Sequence, residues 1–212
     1  SSAVGQGDTA LSGGVAWIPA GTGLDNTGAS PRKVRVGPDG NVYVSDWSDS
    51  HSGLWMGDEN FTSAAEVLDS TGRDANGLNV THGSISGFMV EGTGAARTIY
   101  TMDEDYPSSA SGQRGSLLRY DIGTNAVFSG PPSGLAYDDA ANGNNVQNYT
   151  NDVIRANDGS YWISEVRAGG ADTLFSLMQV DAAGTTLWKS VPSLAADSLT
   201  DPLRRTQGMA YD

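Results

Sequence analysis

The sequence predicts an all-β protein built from antiparallel four-stranded sheets that follow one another along the chain. Three observations predict it: 28 glycines in 212 residues, a large excess of Asp over Glu, and a hairpin pattern that recurs. Glycine and aspartate favour turns, whereas glutamate and lysine favour helices, so most of the acidic charge is expected between strands. A helix-like composition is found only in residues 62–69 and 193–199.

Composition also excludes several classes of function. The chain carries 25 acidic and 12 basic residues, a formal net charge of −13, which opposes binding to nucleic acid or an anionic membrane. The absence of cysteine excludes disulfides, thiol catalysis and cysteine-held metals. No apolar run approaches the roughly 20 residues of a membrane span, and no signal-peptide pattern opens the chain. This profile favours an extracellular or periplasmic, prokaryotic setting.

A β-hairpin pattern occurs three times. Residues 34–46 (VRVGPDGNVYVSD) and 153–165 (VIRANDGSYWISE) each contain two alternating strands around an Asp-Gly turn, and residues 88–103 form a looser copy. An acidic residue ends the second strand of each copy. The interval is 57 residues from Asp46 to Asp103, and 62 residues from there to Glu165.

A second landmark follows each hairpin and keeps the same step. Its three copies are GLWMGD (53–58), SLLRYD (116–121) and SLMQVD (176–181), whose final aspartates are 63 and 60 residues apart. Two landmarks in step indicate a repeated unit of an inner hairpin, a third strand and a more variable outer segment. A four-stranded unit repeated in tandem is typical of a β-propeller blade, which cannot bury both of its faces alone.

The blade units are predicted at about residues 32–80, 85–130 and 151–191, as one propeller domain or segment across residues 1–212. Long connections are expected at 68–85, 104–115 and 129–150, and SGLAYDD (133–139) is interpreted as part of the last one. Ten apolar positions are expected to fill the layers between blades: Val34, Val36, Val42, Val44, Phe88, Val90, Ile99, Val153, Ile154 and Ile163.

The two ends of the chain match parts of the same unit. Trp17 in GGVAWIP resembles Trp188 in GTTLWKS, so residues 1–31 are interpreted as the end of a preceding blade. Residues 206–212 (TQGMAYD) match the inner strand that starts at Val153 and would begin the next blade. The chain is therefore expected to be a segment of a larger propeller, or to be completed by another copy or another chain.

Two segments resemble known propeller families. Residues 37–58 (GPDGNVYVSDWSDSHSGLWMGD) resemble an NHL-type repeat, and residues 150–165 (TNDVIRANDGSYWISE) are similar to gluconolactonase and regucalcin-like propellers. The second resemblance implies lactonase chemistry and a divalent metal in a central channel, held by carboxylate and Asn side chains. Only Asn151 and Asp152 stand in the matching motif.

The candidate site follows from propeller geometry, in which the starts of inner strands and the ends of second strands share one face. The residues expected to face a ligand there are Arg32, Trp47, Ser86, Asn151, Asp152, Arg167 and Gln207. The acids Asp46, Asp103, Asp105 and Glu165 would suit Ca²⁺, which takes 6–8 oxygen ligands. The alternative is that these acids only close their hairpins. His51 is the one candidate general base, against the alternative of a solvated loop histidine.

Three functions are compatible with these patterns. The first is a non-enzymatic secreted or surface propeller module that binds a partner protein or a glycan through one loop face. The second is a metal-dependent, lactonase-like hydrolase that uses calcium in the central channel. The third is assembly, in which chains complete one another's open blades into an oligomer or fibre.

Overall fold

The computed structural model describes residues 31–46, 53–58, 64–68, 85–103, 116–125, 133–138, 148–167, 177–189 and Met209. These residues contain twelve β-strands and one short 3-10 helix, so the all-β prediction is confirmed. Within the same ranges, no helix is long and apolar enough to cross a membrane.

The strands form three four-stranded sheets, and in each sheet the strands lie in their order along the chain. The first sheet contains β1 (Pro31–Val36), β2 (Val42–Asp46), β3 (Gly53–Gly57) and β4 (Ala64–Leu68). The second contains β5 (Ile85–Glu91), β6 (Thr98–Asp103), β7 (Ser116–Asp121) and β8 (Gly134–Asp138), with the 3-10 helix Gly94–Ala96 between β5 and β6. The third contains β9 (Asn148–Arg155), β10 (Tyr161–Arg167), β11 (Leu177–Val180) and β12 (Thr186–Lys189). The threefold repetition of one sheet matches the repeat in the sequence.

The Asp-Gly turns were correctly predicted, and they are built alike in the first and third sheets. Gly40 and Gly159 have φ angles of 80° and 86°, a left-handed conformation that glycine adopts without steric cost. In the first sheet the Asp39 carboxylate accepts a hydrogen bond from the Asn41 amide at 3.2 Å. In the third sheet the Asp158 carboxylate accepts one from the Ser160 amide at 2.8 Å. Each turn therefore closes its hairpin with its own side chain.

Composition was misleading in one outer segment, and the interpretation of a second was wrong. Residues 64–68, with helix-like composition, form strand β4, because pairing with β3 and complete burial of Val67 and Leu68 override helix propensity. Residues 134–138, interpreted as a connection, form strand β8, which pairs antiparallel with β7. β8 closes its sheet and needs no following strand, so the second sheet extends beyond the predicted limit at residue 130.

The chain divides into two compact units. One comprises Ser1–Ile85, Val90–Thr98 and Asp121–Pro131, and the other comprises Ser86–Met89, Ile99–Tyr120 and Pro132–Asp212. The core of the second unit lies between two sheets. The third sheet contributes Val153, Tyr161, Ile163, Met178 and Val180, and the second sheet contributes Met89, Tyr100, Met102 and Leu117, with Ala136 packed against them.

The face of the third sheet that contributes to this core is called its leading face. The face of the second sheet that contributes to the same core is called the trailing face of the second sheet. Because side chains alternate along a strand, Trp162 and Ser164 of β10 lie on the trailing face of the third sheet. In the first sheet, Val34 is the repeat equivalent of Val153, since each precedes its turn glycine by six residues. Each sheet of the repeat therefore has the same two kinds of face.

Two of the ten predicted layer positions are exposed. Val34 and Val36 on β1 are 62% and 72% exposed, whereas Val153 is fully buried. Val153 has the trailing face of the second sheet over it, and among the described residues no such face covers β1. The other eight positions follow the prediction more closely: Val44, Phe88, Ile99, Val153 and Ile163 are buried, and Val42, Val90 and Ile154 are half-buried.

Candidate functional site

We call the end of a sheet at which its first strand begins the upper end. Strand register places the predicted site residues there in the first and third sheets. Pro31, next to Arg32, lies opposite Asp46, and Asn148 lies opposite Arg167. Asp152 lies opposite Ser164, and the register shifts between Ser164 and Glu165. In these two sheets the start of the first strand and the end of the second strand therefore lie together.

The individual candidates differ in their surroundings. Arg32 is exposed on β1, and Ser86 is buried on β5. Asp46 and Asp103 are the last residues of β2 and β6, and Asn151 lies in β9. Trp47, His51, Asp105 and Gln207 lie outside the described residues. Across the described ranges, no group of three His, Asp or Glu side chains is placed to hold a metal ion, and the calcium site stays a prediction.

Asp152 has the best-defined surroundings of the predicted residues. Its side chain is 1% exposed, so its carboxylate requires hydrogen bonds within the fold. Oδ1 accepts a hydrogen bond from the Val153 amide at 3.0 Å, and Oδ2 accepts one from the Met209 amide at 2.8 Å. Both bonds are to the backbone, so this carboxylate organises the chain at the upper end of the third sheet.

A second polar cluster lies in the first unit and was not predicted. Arg97, which follows the 3-10 helix, is 8% exposed. Its Nε donates to the Gly123 carbonyl at 3.1 Å, and its guanidinium also donates to the Asn125 carbonyl. Nη1 lies 3.4 Å from the Tyr43 hydroxyl and 3.9 Å from Oδ2 of Asp39. Arg97 thus joins the turn of the first sheet to two connections of the second.

The charges of this cluster shift two pKa values. Burial, together with the 2.7 Å hydrogen bond from its hydroxyl to Asp39, raises the pKa of Tyr43 to about 12. Burial works to raise the pKa of Asp39, but hydrogen bonds from Tyr43 and Asn41 outweigh it and lower that pKa. At neutral pH the cluster therefore holds a carboxylate, a neutral phenol and a guanidinium in mutual contact.

The cluster lies at the lower end of the first sheet, opposite the predicted site. Three aspartates at the lower ends are hydrogen-bonded within their own turns: Asp39 and Asp158 as above, and Asp181 to the amides of Ala183 and Thr185 at 2.9 and 2.8 Å. One feature of the sequence marks Arg97, namely that a basic residue stands directly before an apolar strand. The sequence does not indicate which residues it contacts. We assign this cluster to stability, because each of its polar groups has a partner within the fold.

Asp152 and Arg97 thus both form hydrogen bonds with other residues of this chain. No protein-family model and no curated protein sequence matches the chain.

Proposed function

We propose that this chain is a β-propeller module without catalytic activity, which binds a partner protein or a glycan through the upper ends of its sheets. The observation that carries the proposal is the packing of one four-stranded sheet of the repeat on the next, with a leading face against a trailing face. Sheets that share both kinds of face can continue the same stacking around an axis.

The lengths of the connections support the upper end as the binding surface. The chain crosses the lower ends of the first and third sheets in short turns, such as residues 37–41 and 156–160. The longest connection between described strands, residues 69–84, joins upper ends, whereas in the second sheet the lower-end connection 122–133 is as long as the upper-end connection 104–115. Binding residues are concentrated in long connections held by a rigid scaffold.

A charge-reversal pair tests this surface. Arg32 is exposed at the upper end of β1, and Arg155 is exposed at the lower end of β9. On an array of neutral and acidic oligosaccharides, we expect Arg32→Glu to weaken binding at least about tenfold and Arg155→Glu to leave it unchanged. Equal losses in both variants, or a loss in Arg155→Glu alone, would contradict the assignment to the upper end.

The alternative is a calcium-dependent, lactonase-like hydrolase, which rests on the Asn151-Asp152 motif and on the acids that follow the second strands. Calcium titration followed by calorimetry, with lactone hydrolysis measured in parallel, separates the two functions. A hydrolase would lose turnover in Asp103→Asn and Asn151→Ala, whereas a binding module has no turnover to lose and changes at most in stability. Calcium-dependent turnover in the wild-type chain would overturn the non-enzymatic proposal.

A further inference from the structure

One carboxylate in the third sheet binds two amides that are equivalent in the repeat. The sequence Thr206-Gln207-Gly208-Met209 aligns with Thr150-Asn151-Asp152-Val153, so Met209 corresponds to Val153. Asp152 accepts hydrogen bonds from the amides of both, at 3.0 Å for Val153 and 2.8 Å for Met209. The second bond spans 57 residues of sequence and joins the first strand of one unit to the corresponding position of the next.

The bond between Asp152 and Met209 lies on the trailing face of the third sheet. Asp152 is the cross-strand partner of Ser164, so both side chains lie on the trailing face of the third sheet. On the second sheet the trailing face is covered by the next sheet, whose first strand brings in Val153. The Met209 amide is bound on the corresponding side of the third sheet, where the first strand of a following sheet would lie.

Two neighbouring side chains show that this part of the trailing face is covered. Ser164 is fully buried, and its hydroxyl oxygen has no hydrogen-bond partner within the described part of the chain. Trp162, two residues earlier on the same face, is half-buried and lies 5.7 Å from Trp188 between ring centroids. Trp188, on the outer strand, is 42% exposed, so burial decreases from the first strand outward. A single covering strand beside β9 would give this gradient.

We infer that Met209 is docked on the trailing face of the third sheet, at the position that the first strand of a following sheet would take, with Asp152 as its anchor. The carboxylate binds the Val153 and Met209 amides together, and so it relates the position of Met209 to the register of the third sheet. Asp152 acts here as a positioning residue. The inference is independent of what the upper ends bind, because its test needs no ligand.

Amide hydrogen exchange of the full ¹⁵N-labelled chain, followed by NMR, tests the anchor. We expect the Met209 amide to be protected in the wild type and to lose at least about tenfold of its protection in Asp152→Asn, which places an NH₂ group against one of the amides. Asp158→Asn, a turn aspartate in the same sheet, is the matched control and should leave Met209 unchanged. The Ile163 amide reports whether the sheet itself remains folded.

A second variant covers the case in which Asp152→Asn fails to fold. Met209→Pro removes the donor N–H and leaves Asp152 intact. We expect it to release residue 209 from Asp152 and to increase tryptic cleavage after Arg205 at least about tenfold, with Ile163 protection retained. An unprotected Met209 amide in the wild type would overturn the inference, and so would wild-type cleavage rates in Met209→Pro.

Discussion

At the scale of single residues, Arg97 joins several polar groups in the described part of the first unit. Its guanidinium is buried, and its nitrogens contact two carbonyls, a phenol, a thioether sulfur and a carboxylate. A buried charge is stabilised by this many partners, and removing it leaves those partners desolvated with fewer hydrogen bonds. Arg97 is therefore expected to matter more for stability than any exposed arginine.

Replacement of Arg97 by Met should lower the free energy of unfolding by about 3 kcal/mol, because Asp39 and the two carbonyls lose a charged donor. Arg119, which is exposed on β7, supplies the matched control, and Arg119→Met should stay within about 0.5 kcal/mol of the wild type. Urea denaturation measures both. Similar values for the two variants would show that the Arg97 contacts contribute nothing net.

Tyr43 predicts a loss of stability at alkaline pH. Its pKa of about 12 in the fold lies above the value of about 10 for an exposed tyrosine, so folding favours the neutral phenol. The resulting stability is complete below about pH 10 and falls by about 2–3 kcal/mol as the pH rises to about 12.

Urea unfolding at a series of pH values, with phenolate absorbance, measures this loss. Tyr43→Phe removes the ionising group and should flatten the curve in that window. A wild-type curve as flat as that of Tyr43→Phe would contradict the assignment.

At the scale of elements, turn chemistry made the inner hairpins predictable. Asp-Gly pairs dictate a left-handed glycine and a side-chain bond back to the turn, and both are local properties of a few residues. The outer strands β4 and β8 carry no such local signal. The sequence AAEVL of β4 has helix propensity and becomes a strand only because Val67 and Leu68 are buried when it pairs with β3. That information is non-local, so composition alone could not supply it.

The same distinction applies to the candidate site. Hairpin register follows from the turn, so the shared upper end of residues such as Arg32 and Asp46 was predictable. The bond from Met209 to Asp152 depends on how successive units stack, and the contacts of Arg97 depend on a connection that folds back onto another sheet's turn. The sequence does not show which distant residues form these contacts, because they depend on the tertiary structure.

The connection between β5 and β6 contains a glycine that a larger residue cannot replace. Gly92 has a φ of 66°, and a Cβ built there would lie 2.3 Å from the Ala96 carbonyl oxygen. Gly40 has a φ of 80° and nothing within 4 Å of its Cβ position. We expect Gly40→Ala to cost about 1 kcal/mol through backbone strain alone, and Gly92→Ala to cost at least about 2 kcal/mol more.

Thermal unfolding of the two glycine variants gives the comparison directly. The difference between them isolates the clash with Ala96, because both glycines have left-handed backbones. Equal destabilisation would mean that the Gly94–Ala96 helix moves away at no cost.

At the scale of the whole molecule, the repeat places equivalent residues in unequal surroundings. Val153 on the leading face of the third sheet is fully buried against the second sheet, whereas Val34 on the leading face of the first is 62% exposed. Burial of apolar area is the main favourable term in folding, so these two valines should contribute very differently despite their matching positions.

The comparison of Val153→Ala with Val34→Ala measures this inequality. Val153→Ala removes two methyl groups from a packed core and should lower the free energy of unfolding by about 2 kcal/mol, since the lost transfer energy is joined by a cavity cost. Val34→Ala should change it by less than about 0.5 kcal/mol in dilute protein, because its side chain already contacts solvent. Urea denaturation at two protein concentrations tests both values. If Val34→Ala costs as much as Val153→Ala at low concentration, the leading face of the first sheet is covered within the chain itself; if it does so only at high concentration, the cover comes from another molecule.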